Sequence, residues 1–421
     1  MRIPRRSFLK GTASLAAGAA LDGCAAASRP ARVTPWVWCG AVTARTALVK
    51  ARAPFSERPY LWVAPLRDAM GARELAPAAV GPHGVATFAL EGLEPGTDYL
   101  YALRDRARAG ELLGRFKTFT PGPTSFRFST ASCARTGSSH AVFDTIRKRK
   151  PAFFLHLGDL HYENIDANDP AVFARAFDLV LSSPSQSELY RSCPIAYTWD
   201  DHDYGPNNSD RGAPGRLAAL AAYREHVPHY PLAGTRTIHQ AFTVGRVRFI
   251  LTDLRADRDG PGVPFETRTM LGPEQKAWLL AELAEAGRYG LVVWASSVGW
   301  IGDGGDDDWG GFPAERAEIG RFLMEHGVKN LLMVSGDAHM LAIDDGSHNT
   351  MVDGGPGFPL FHAAALDQKG SDKGGPFSHP QVPGGGQYGE VDIVDEGGRV
   401  QVTLTGRDHE ARAIMQHRFA V

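Results

Sequence analysis

Phe153-Phe154-Leu155-His156-Leu157-Gly158-Asp159-Leu160-His161-Tyr162-Glu163 begins as an apolar run of the kind that forms buried strands, and the run stops at a glycine. Four ionisable side chains then occupy the five positions from 159 to 163. A buried parallel strand that ends in this way places its aspartate at the carboxyl edge of a sheet, where open α/β folds bind their ligands. We therefore expect Asp159 to belong to a functional site and His156, within the strand, to lie in the core.

Three other apolar runs also end in polar clusters: Thr130-Ala131-Ser132-Cys133, Trp199-Asp200-Asp201-His202-Asp203 and Val334-Ser335-Gly336-Asp337-Ala338-His339. Strand ends of an α/β sheet converge, so these thiol, carboxyl, phenol and imidazole groups should share one pocket. Clustered acids without cations would repel one another, and this mixture of donors suits metal ions. Each piece alone also fits a structural role, such as a buried thiol, a turn or a core histidine. The shared design of four strand ends favours a metal centre.

The segment 124–421 alternates strands with amphipathic helices. Strands are predicted at 126–129, 152–157, 194–199, 247–252, 291–295 and 330–335, and helices at 140–148, 170–181, 217–226, 272–285 and 312–326. This βαβ succession predicts an α/β domain with helices outside its sheet. An antiparallel-looking end at 388–404 indicates a mixed sheet.

The segment 33–120 reads as a separate, small all-β sandwich, because short strand-like stretches alternate with turns. Within it, Leu93-Glu94-Pro95-Gly96-Thr97-Asp98-Tyr99-Leu100-Tyr101 resembles the turn and tyrosine corner of fibronectin type III domains, with an ordinary hairpin turn as the alternative. Pro121-Gly122-Pro123 would close this domain as a stiff linker.

Residues 1–27 are expected to be a targeting segment. Arg5-Arg6-Ser7-Phe8-Leu9-Lys10 is a twin-arginine signature, and the apolar stretch that follows is too short to span a membrane as an ordinary helix. The alternative is the start of a basic amphipathic helix. The signature predicts export by the twin-arginine machinery to the periplasm or cell surface. Leu21-Asp22-Gly23-Cys24 looks like a lipoprotein cleavage box, so Cys24 is a possible lipid anchor; release after residue 27 is the alternative.

The composition argues against a nucleic-acid partner. The chain of 421 residues has a formal charge of −2 and no basic stripe that would neutralise a phosphodiester backbone. A small phosphorylated substrate stays open, because the charge of a cleft can differ from the net charge. Cys39, Cys133 and Cys193 do not form a disulfide framework. Cys39 and Cys193 would either pair or, as the blander alternative, be buried free thiols.

The motif set resembles the alkaline phosphatase D (PhoD-like) family of calcineurin-like metallophosphoesterases. It consists of Gly158-Asp159-x-x-Tyr162-Glu163, Trp199-Asp200-Asp201-His202-Asp203-Tyr204-Gly205-x-Asn207-Asn208, Asp253-Leu254-Arg255 and Ser335-Gly336-Asp337-Ala338-His339. The resemblance implies a fibronectin- or immunoglobulin-like domain followed by a four-layer α/β/β/α catalytic sandwich. It also implies a centre of two or three metal ions that combines Fe(III) with Ca²⁺.

The resemblance further implies roles for individual residues. Asp159 would bridge two metal ions and His202 would face the substrate. The remaining expected metal ligands are Cys133, Tyr162, Asp201, Asp337 and His339. Asn207 and Asn208, in the same motif, are expected to bind substrate.

Arg255 and Arg258 follow a predicted strand end at Thr252-Asp253, so either guanidinium is a candidate clamp for the phosphate. Surface ion pairs with Asp253 or Asp257 are the alternative. Glycine-rich loops at 302–311 and 354–386 are long enough to shape the substrate site, and Trp309 is expected to cover the substrate.

These features predict an exported metal-dependent phosphoesterase that hydrolyses phosphate monoesters, diesters or both through a metal-activated bridging hydroxide. A phosphodiesterase or phospholipase-type enzyme acting on nucleotides, lipid headgroups or cell-wall polymers is the alternative within the same fold. A non-catalytic cell-surface binding protein with a structural metal centre is the alternative outside it.

Overall fold

The computed structural model describes residues 34–53, 59–105, 108–302 and 304–421. The predicted targeting segment, including Cys24, lies outside these residues. Among the helices that are described, none combines the length and the apolar character that crossing a membrane requires.

The strands and α-helices of the described residues are numbered in chain order. The strands are β1 Trp36–Gly40, β2 Ala47–Arg52, β3 Pro59–Pro65, β4 Arg73–Leu75, β5 Ala79–Val80, β6 Val85–Leu90, β7 Asp98–Asp105, β8 Arg108–Lys117, β9 Phe126–Ala131, β10 Phe154–His156, β11 Ile195–Tyr197, β12 Gln240–Val244, β13 Val247–Leu251, β14 Leu291–Ser296, β15 Leu331–Ser335, β16 Met340–Asp344, β17 Leu360–Ala363, β18 Val382–Pro383, β19 Gln387–Val394, β20 Gln401–Asp408 and β21 Ala413–Ala420. The helices are α1 Ala141–Arg149, α2 Pro170–Ser182, α3 Pro184–Ser192, α4 Asp201–Tyr204, α5 Arg216–His226, α6 Gly272–Ala284 and α7 Pro313–Glu325.

Two large mixed sheets organise the molecule. The first has ten strands in the order β21-β20-β19-β9-β10-β11-β1-β2-β6-β5, and the second has seven in the order β12-β13-β14-β15-β17-β16-β18. The strand β10 lies between two parallel neighbours, with Leu155 opposite Thr130 of β9 and Ala196 of β11. Parallel β13, β14 and β15 form the middle of the second sheet.

The alternation of side chains along each strand builds four layers, as the family resemblance implied. Leu155 of β10 faces a core shared with Phe249 of β13, which lies between the two sheets. Phe154, which points to the opposite face, packs with α1, α2, α3 and α5 in a second core. A third core lies between the second sheet and the helices α6 and α7. The architecture is therefore a four-layer α/β/β/α sandwich.

The N-terminal strands form the all-β region that was predicted, but they share a sheet with the α/β part. β3, β4, β7 and β8 make a separate four-stranded sheet, whereas β1, β2, β5 and β6 extend the ten-stranded sheet through the parallel pairing of Gly40 with Ile195. One core runs from Leu61 and Tyr101 through Phe128 to Phe249. Residues 121–123 therefore mark a change of pattern along the chain and not a break in its sheet or core.

The predicted tyrosine corner is present in the N-terminal region. The Tyr99 hydroxyl accepts a hydrogen bond of 2.9 Å from the backbone N–H of Glu94, five residues earlier. Tyrosine corners of β-sandwich domains tie the turn to the strand by a bond of this kind. Tyr101, two residues later, donates to the carbonyl of Arg191 at the end of α3 and so joins the sandwich to the helical layer.

Cys39, Cys133 and Cys193 are buried free thiols. This agrees with the alternative of unpaired cysteines. Burial raises the pKa of the Cys39 and Cys193 thiols, so both are held in the protonated form.

Candidate metal centre

The four polar strand ends identified in the sequence lie together at one edge of the two large sheets. The loops after β9 and β10 are joined directly, because the N–H of Cys133 donates to the carbonyl of Gly158 and the N–H of Ala134 donates to that of Asp159. The loop after β15 joins them through the N–H of Asp337, which donates to the Ser132 hydroxyl over 3.3 Å. The expected convergence at the carboxyl edge of the strands is therefore observed.

Three of the expected ligands have left-handed backbone conformations. The φ angles are 64° at Cys133, 56° at Asp159 and 75° at Asp337. This conformation costs a residue other than glycine roughly 1–3 kcal/mol and persists only where the surroundings enforce it, which is most common at functional sites. The Cys133 thiol lies 3.6 Å from Asp159 Oδ2 and 3.5 Å from the backbone carbonyl oxygen of Asp337, so the three residues meet at this thiol.

Asp159, Cys133 and Tyr162 form the centre of the cluster. The Tyr162 hydroxyl donates to Asp159 Oδ2 over 2.6 Å, and the Cys133 thiol lies 3.6 Å from the same oxygen. His339 Nε2 lies 3.2 Å from the Tyr162 hydroxyl on the other side. His339 Nδ1 contacts the carbonyl of Lys369 at 2.7 Å; a carbonyl only accepts, so Nδ1 carries the proton and Nε2 is left with its lone pair towards the cluster.

Asp159, Asp201 and His202 each offer a ligand atom, and these three atoms lie within 4.8 Å of one another. Asp201 is held by two backbone donors, the N–H of His202 at 2.9 Å and the N–H of Asn208 at 2.6 Å. Both bonds leave further lone pairs on its carboxylate. Ligand atoms this close together can all bind the same cation.

Two buried carboxylate oxygens of the cluster lack hydrogen-bond partners in the described part of the chain and are suited to bind cations. Asp159 Oδ1 and Asp200 Oδ2 are buried and have no hydrogen-bond partner among the described residues. Burial, reinforced by the nearby carboxylate of Asp201, raises the pKa of Asp159 well above its usual value. Burial and then Asp159 raise the pKa of the Cys133 thiol in the same way. A cation reverses this balance and stabilises the ionised carboxylate and thiolate, so the donor set matches a metal centre.

Asp203 holds the backbone of the segments that carry the expected ligands, a role that the sequence did not reveal. We call this set of hydrogen bonds the frame of the metal centre. Its carboxylate accepts from the backbone N–H of Asp159 at 2.6 Å, of Leu160 at 2.8 Å and of Asp200 at 3.0 Å. These bonds tie the turn after β10 to the start of α4. Burial raises the pKa of Asp203 to about 7, and the backbone donors act in the opposite direction.

His202 lies at the rim of the cluster. Its ring packs against the Tyr162 ring with centroids 4.1 Å apart, and its Nδ1 contacts Asn164 Oδ1 at 2.7 Å. Because an amide oxygen only accepts, Nδ1 is the protonated nitrogen of a neutral His202, and Nε2 has no hydrogen-bond partner in the part of the chain that the structure describes. Burial lowers the pKa of His202 below its ordinary value. Asn164 was not predicted, since only its spatial position identifies it.

Arg255 is buried beneath the cluster, which corrects its predicted role as an open phosphate clamp. Its Nε donates to Asp200 Oδ1 over 2.6 Å and its Nη1 to Asp307 Oδ1 over 2.9 Å. Its side chain is 0% exposed. Arg255 therefore positions Asp200 and Asp307, and neither Asp253 nor Asp257 is its ion-pair partner.

Arg258 and Trp309 are also buried, so their predicted contacts with substrate are corrected too. Arg258 Nη2 contacts the carbonyl of Asp306 and lies 3.4 Å from Asp307 Oδ1, which fastens the loop 302–311 to the core. Trp309 packs against Trp294 and Trp300, and its Nε1 donates to Ser296 Oγ over 3.2 Å.

The remaining residues occupy two kinds of position. Asn207 and Asn208 are exposed next to Asp201, and their substrate role stays a prediction. His362 is buried between Ser335 Oγ at 2.9 Å and the carbonyl of Ala338 at 2.7 Å, so both its nitrogens are already engaged. His156 is fully buried, as expected for a core residue.

Lys373 reaches the cluster from the glycine-rich loop 354–386, and sequence reasoning missed it. Its Nζ lies 2.9 Å from Asp337 Oδ2 and 3.4 Å from Asp307 Oδ2. Burial opposes ionisation of Asp307, yet Arg255, Arg258 and Lys373 together hold the pKa of Asp307 below its usual value. The loop contains two lysines, Lys369 and Lys373, and no local pattern in the sequence separates the one that contacts the cluster from the other.

Known proteins resemble this chain in both sequence and fold. Alkaline phosphatase D from Bacillus subtilis (strain 168) is 25% identical over 304 residues, in a match that covers 59% of this chain and 52% of that protein. The chain thus spans about half the length of this curated relative. The solved structure of PhoD superposes with a TM-score of 0.74 at 19% identity, covering 90% of this chain and 91% of that one.

A second solved structure, purple acid phosphatase PPD1 from yellow lupin (Lupinus luteus) seeds, superposes with a TM-score of 0.60 at 11% identity. That match covers 91% of this chain and 73% of the lupin protein. At these identities the two structures show that the fold is shared. The sequence profile of the PhoD-like phosphatases matches residues 128–376, which include every expected metal ligand and more than half of the chain. The chain therefore belongs to the PhoD-like phosphatase family.

Proposed function

We propose that this protein is an exported, metal-dependent phosphoesterase. The observation that carries the proposal is the buried cluster at the carboxyl edge of the sheets, where the ligand atoms of Asp159, Asp201 and His202 lie within 4.8 Å of one another. Membership of the PhoD-like phosphatase family supports the same reaction class. A structural metal site would not need a half-buried histidine and two exposed asparagines, His202, Asn207 and Asn208, at its mouth.

The ligands that would hold the metals are the six predicted from the sequence: Cys133, Asp159, Tyr162, Asp201, Asp337 and His339. Thiolate and phenolate suit Fe(III), and carboxylate oxygens suit a hard cation such as Ca²⁺, so we propose these two metals. When bound, such cations lower the pKa of a bound water and neutralise charge on phosphoryl oxygens.

His202 has the position of a residue that contacts the substrate. The bond from Nδ1 to Asn164 fixes the ring, which offers a nitrogen within 4.8 Å of ligand atoms of Asp159 and Asp201, and leaves Nε2 without a hydrogen-bond partner among the described residues. From there Nε2 can hold a phosphoryl oxygen when protonated, or give its proton to the leaving oxygen. His202 is also close enough to Asp159 and Asp201 to bind a metal ion together with them. Its role towards the substrate must therefore be tested separately from metal binding.

Export is supported by the twin-arginine signature at Arg5-Arg6-Ser7-Phe8-Leu9-Lys10. The proposed destination is the periplasm or the cell surface, with Cys24 as the candidate site of lipid attachment. A small phosphorylated molecule is the proposed substrate, as a monoester or a diester.

The central test measures metal content and hydrolysis of an aryl phosphate and a bis-aryl phosphate by the same preparation. Asp159→Asn removes a charge from the cluster and should lower metal content and reduce hydrolysis by about three orders of magnitude, since bound metals contribute several kcal/mol to catalysis. Asp166→Asn, the same change at an exposed position of the same loop, is the matched control. Full hydrolysis by the Asp159→Asn protein would contradict the proposal.

His202→Gln separates the two roles of the histidine. If His202 contacts substrate, this variant keeps its metals and loses about 100-fold or more in kcat, which is a usual contribution of a proton-transferring side chain. Loss of metal in proportion to activity would instead assign His202 to the ligands.

A further inference from the structure

Three cationic side chains surround the metal cluster on the side of the two long loops: Arg255, Arg258 and Lys373. Their exposure separates them sharply. The side chains of Arg255 and Arg258 are 0% and 3% exposed, whereas that of Lys373 is 37% exposed. A phosphoryl group that enters from solvent therefore meets the lysine first.

The two arginines are committed to protein contacts. Arg255 holds Asp200 and Asp307, and Arg258 holds the loop 302–311 through the carbonyl of Asp306. Arg255 Nη2 has no partner among the described residues, but it is buried, so a ligand reaches it only after the protein moves. Opening a buried ion pair leaves an uncompensated charge, which is strongly unfavourable.

Two carboxylates hold the Lys373 ammonium in place, and the ammonium still has a donor left for a substrate. Its ammonium has three N–H donors and contacts two carboxylates, Asp337 at 2.9 Å and Asp307 at 3.4 Å. Asp307 is shared, because its Oδ1 faces both arginines while its Oδ2 faces the lysine. A cation held by Asp337 would compensate that carboxylate, and Lys373 would then keep Asp307 as an anchor and turn its other donors towards the substrate.

The loop that carries Lys373 is fixed on both sides of it. A Cβ at Gly374 would lie 2.0 Å from the carbonyl oxygen of Ile301, so only glycine allows this approach. Two residues before the lysine, the Ser371 hydroxyl accepts from the N–H of His339 over 2.9 Å. The loop therefore presents Lys373 at a defined place beside an expected metal ligand.

We propose that Lys373 binds the phosphoryl group of the substrate and gives the enzyme its preference for phosphate monoesters over diesters. At neutral to alkaline pH a monoester carries close to two negative charges on its phosphate, and a diester carries one. An ammonium at this position stabilises the additional charge, and it adds a hydrogen bond to a phosphoryl oxygen. The inference rests on the proposed function and names the substrate class of the same site.

The test compares Lys373→Met with the parent protein, both loaded with metal to the same content. The first measurement is direct binding of inorganic phosphate by calorimetry, which does not depend on turnover. The second is kcat/KM for an aryl phosphate and for the matching bis-aryl phosphate. Hydrogen bonds to charged groups account for about 10- to 100-fold in binding, so we expect losses of that size for phosphate and for the monoester, and a loss of less than about threefold for the diester.

Two further variants control the experiment. Lys329→Met removes an exposed lysine at the opposite end of β15, the strand that leads to Asp337, and should change none of these values. Lys373→Arg keeps the charge and should keep most of the preference for monoesters.

The outcomes distinguish this inference from the proposed function. Equal losses for the two esters, or unchanged phosphate affinity in Lys373→Met, would overturn the role of Lys373 even if the parent enzyme is active. Absence of hydrolysis by the metal-loaded parent would overturn the proposed function, while the phosphate titration would still decide whether Lys373 binds the anion.

Discussion

Gly158 lies directly against Asp200, so that a Cβ at position 158 would be only 2.4 Å from the Cβ of Asp200 and 2.8 Å from its backbone nitrogen. The φ angle of Gly158 is 103°, which side chains rarely adopt. The two chain segments that carry Asp159 and Asp201 therefore meet because a glycine stands between them.

Gly158→Ala should separate these segments. Backbone strain and the clash with Asp200 act together, so we expect the free energy of unfolding to fall by about 3 kcal/mol or more and metal content to fall with it. Gly92→Ala is the control, because Gly92 also has a positive φ, of 65°, but a Cβ there would meet no described atom within 4 Å. It should cost about 1 kcal/mol and leave the metals in place. Denaturant titration and elemental analysis measure both effects, and equal stabilities of the two variants would count against the contact.

Asp203→Asn should weaken the frame of the metal centre without removing a metal ligand. The carboxylate accepts four backbone N–H groups, and an amide has one oxygen to offer them, so at least one buried donor loses its partner. We expect a loss of about 1–3 kcal/mol in unfolding free energy and weaker metal binding.

The same substitution at Asp169 is the control for Asp203→Asn. Asp169 caps α2 by accepting from the N–H of Ala171, and asparagine caps helices about as well, so its effect should be a few tenths of a kcal/mol. A metal affinity of Asp203→Asn equal to that of the parent protein would show that the frame does not position the ligands.

The strand ends were predictable because the signal is local. At each of the four strand ends an apolar run leads directly into a short polar cluster. The topology of the sheet then brings the four clusters together. Cys133, Asp159 and Tyr162 were identified in this way, and the structure brings them into contact.

The contacts that the sequence did not reveal join distant segments. Lys373 meets Asp337 and Asp307 across 36 and 66 residues, and Asn164 meets His202 across 38. Arg255 looked like a phosphate clamp because its residue type suits one, but its burial depends on Asp200 and Asp307 from two other loops. Likewise, no local pattern indicates that β1 pairs with β11, so the N-terminal strands looked like an independent sandwich.

Removal of the metals should destabilise the folded protein reversibly. Bound cations offset the repulsion between Asp159 and Asp201, and any ligand that binds only the folded state stabilises it by mass action. Treatment with a chelator should therefore lower the midpoint of thermal unfolding by several degrees, and restoring Fe(III) and Ca²⁺ should raise it again. Asp159→Asn should respond less to both treatments. If the chelator removes the metals but leaves the midpoint of thermal unfolding of the parent protein unchanged, the stabilising role of the metals is contradicted.

His156 should make the protein sensitive to acid. Its ring is fully buried, both its nitrogens lack a partner among the described residues, and burial lowers its pKa to about 3. An unfolded histidine has a pKa near 6.5. Between these two values the unfolded chain binds a proton that the folded protein does not, so stability is complete above pH ~6.5 and falls as the pH drops towards 3.

His156→Leu removes this titration, and the slope of unfolding free energy against pH between 4 and 6 should decrease by up to about 1.4 kcal/mol per pH unit. A slope remains, since burial also lowers the pKa of His226 to about 4. Phe154→Leu is the matched control, because Phe154 lies on the same strand and its ring contacts that of His156 with centroids 5.6 Å apart. That variant should lose a constant amount of stability at every pH. Denaturant titrations from pH 4 to 8 measure these slopes, and an unchanged slope in His156→Leu would mean that the buried ring already binds its proton in the folded state.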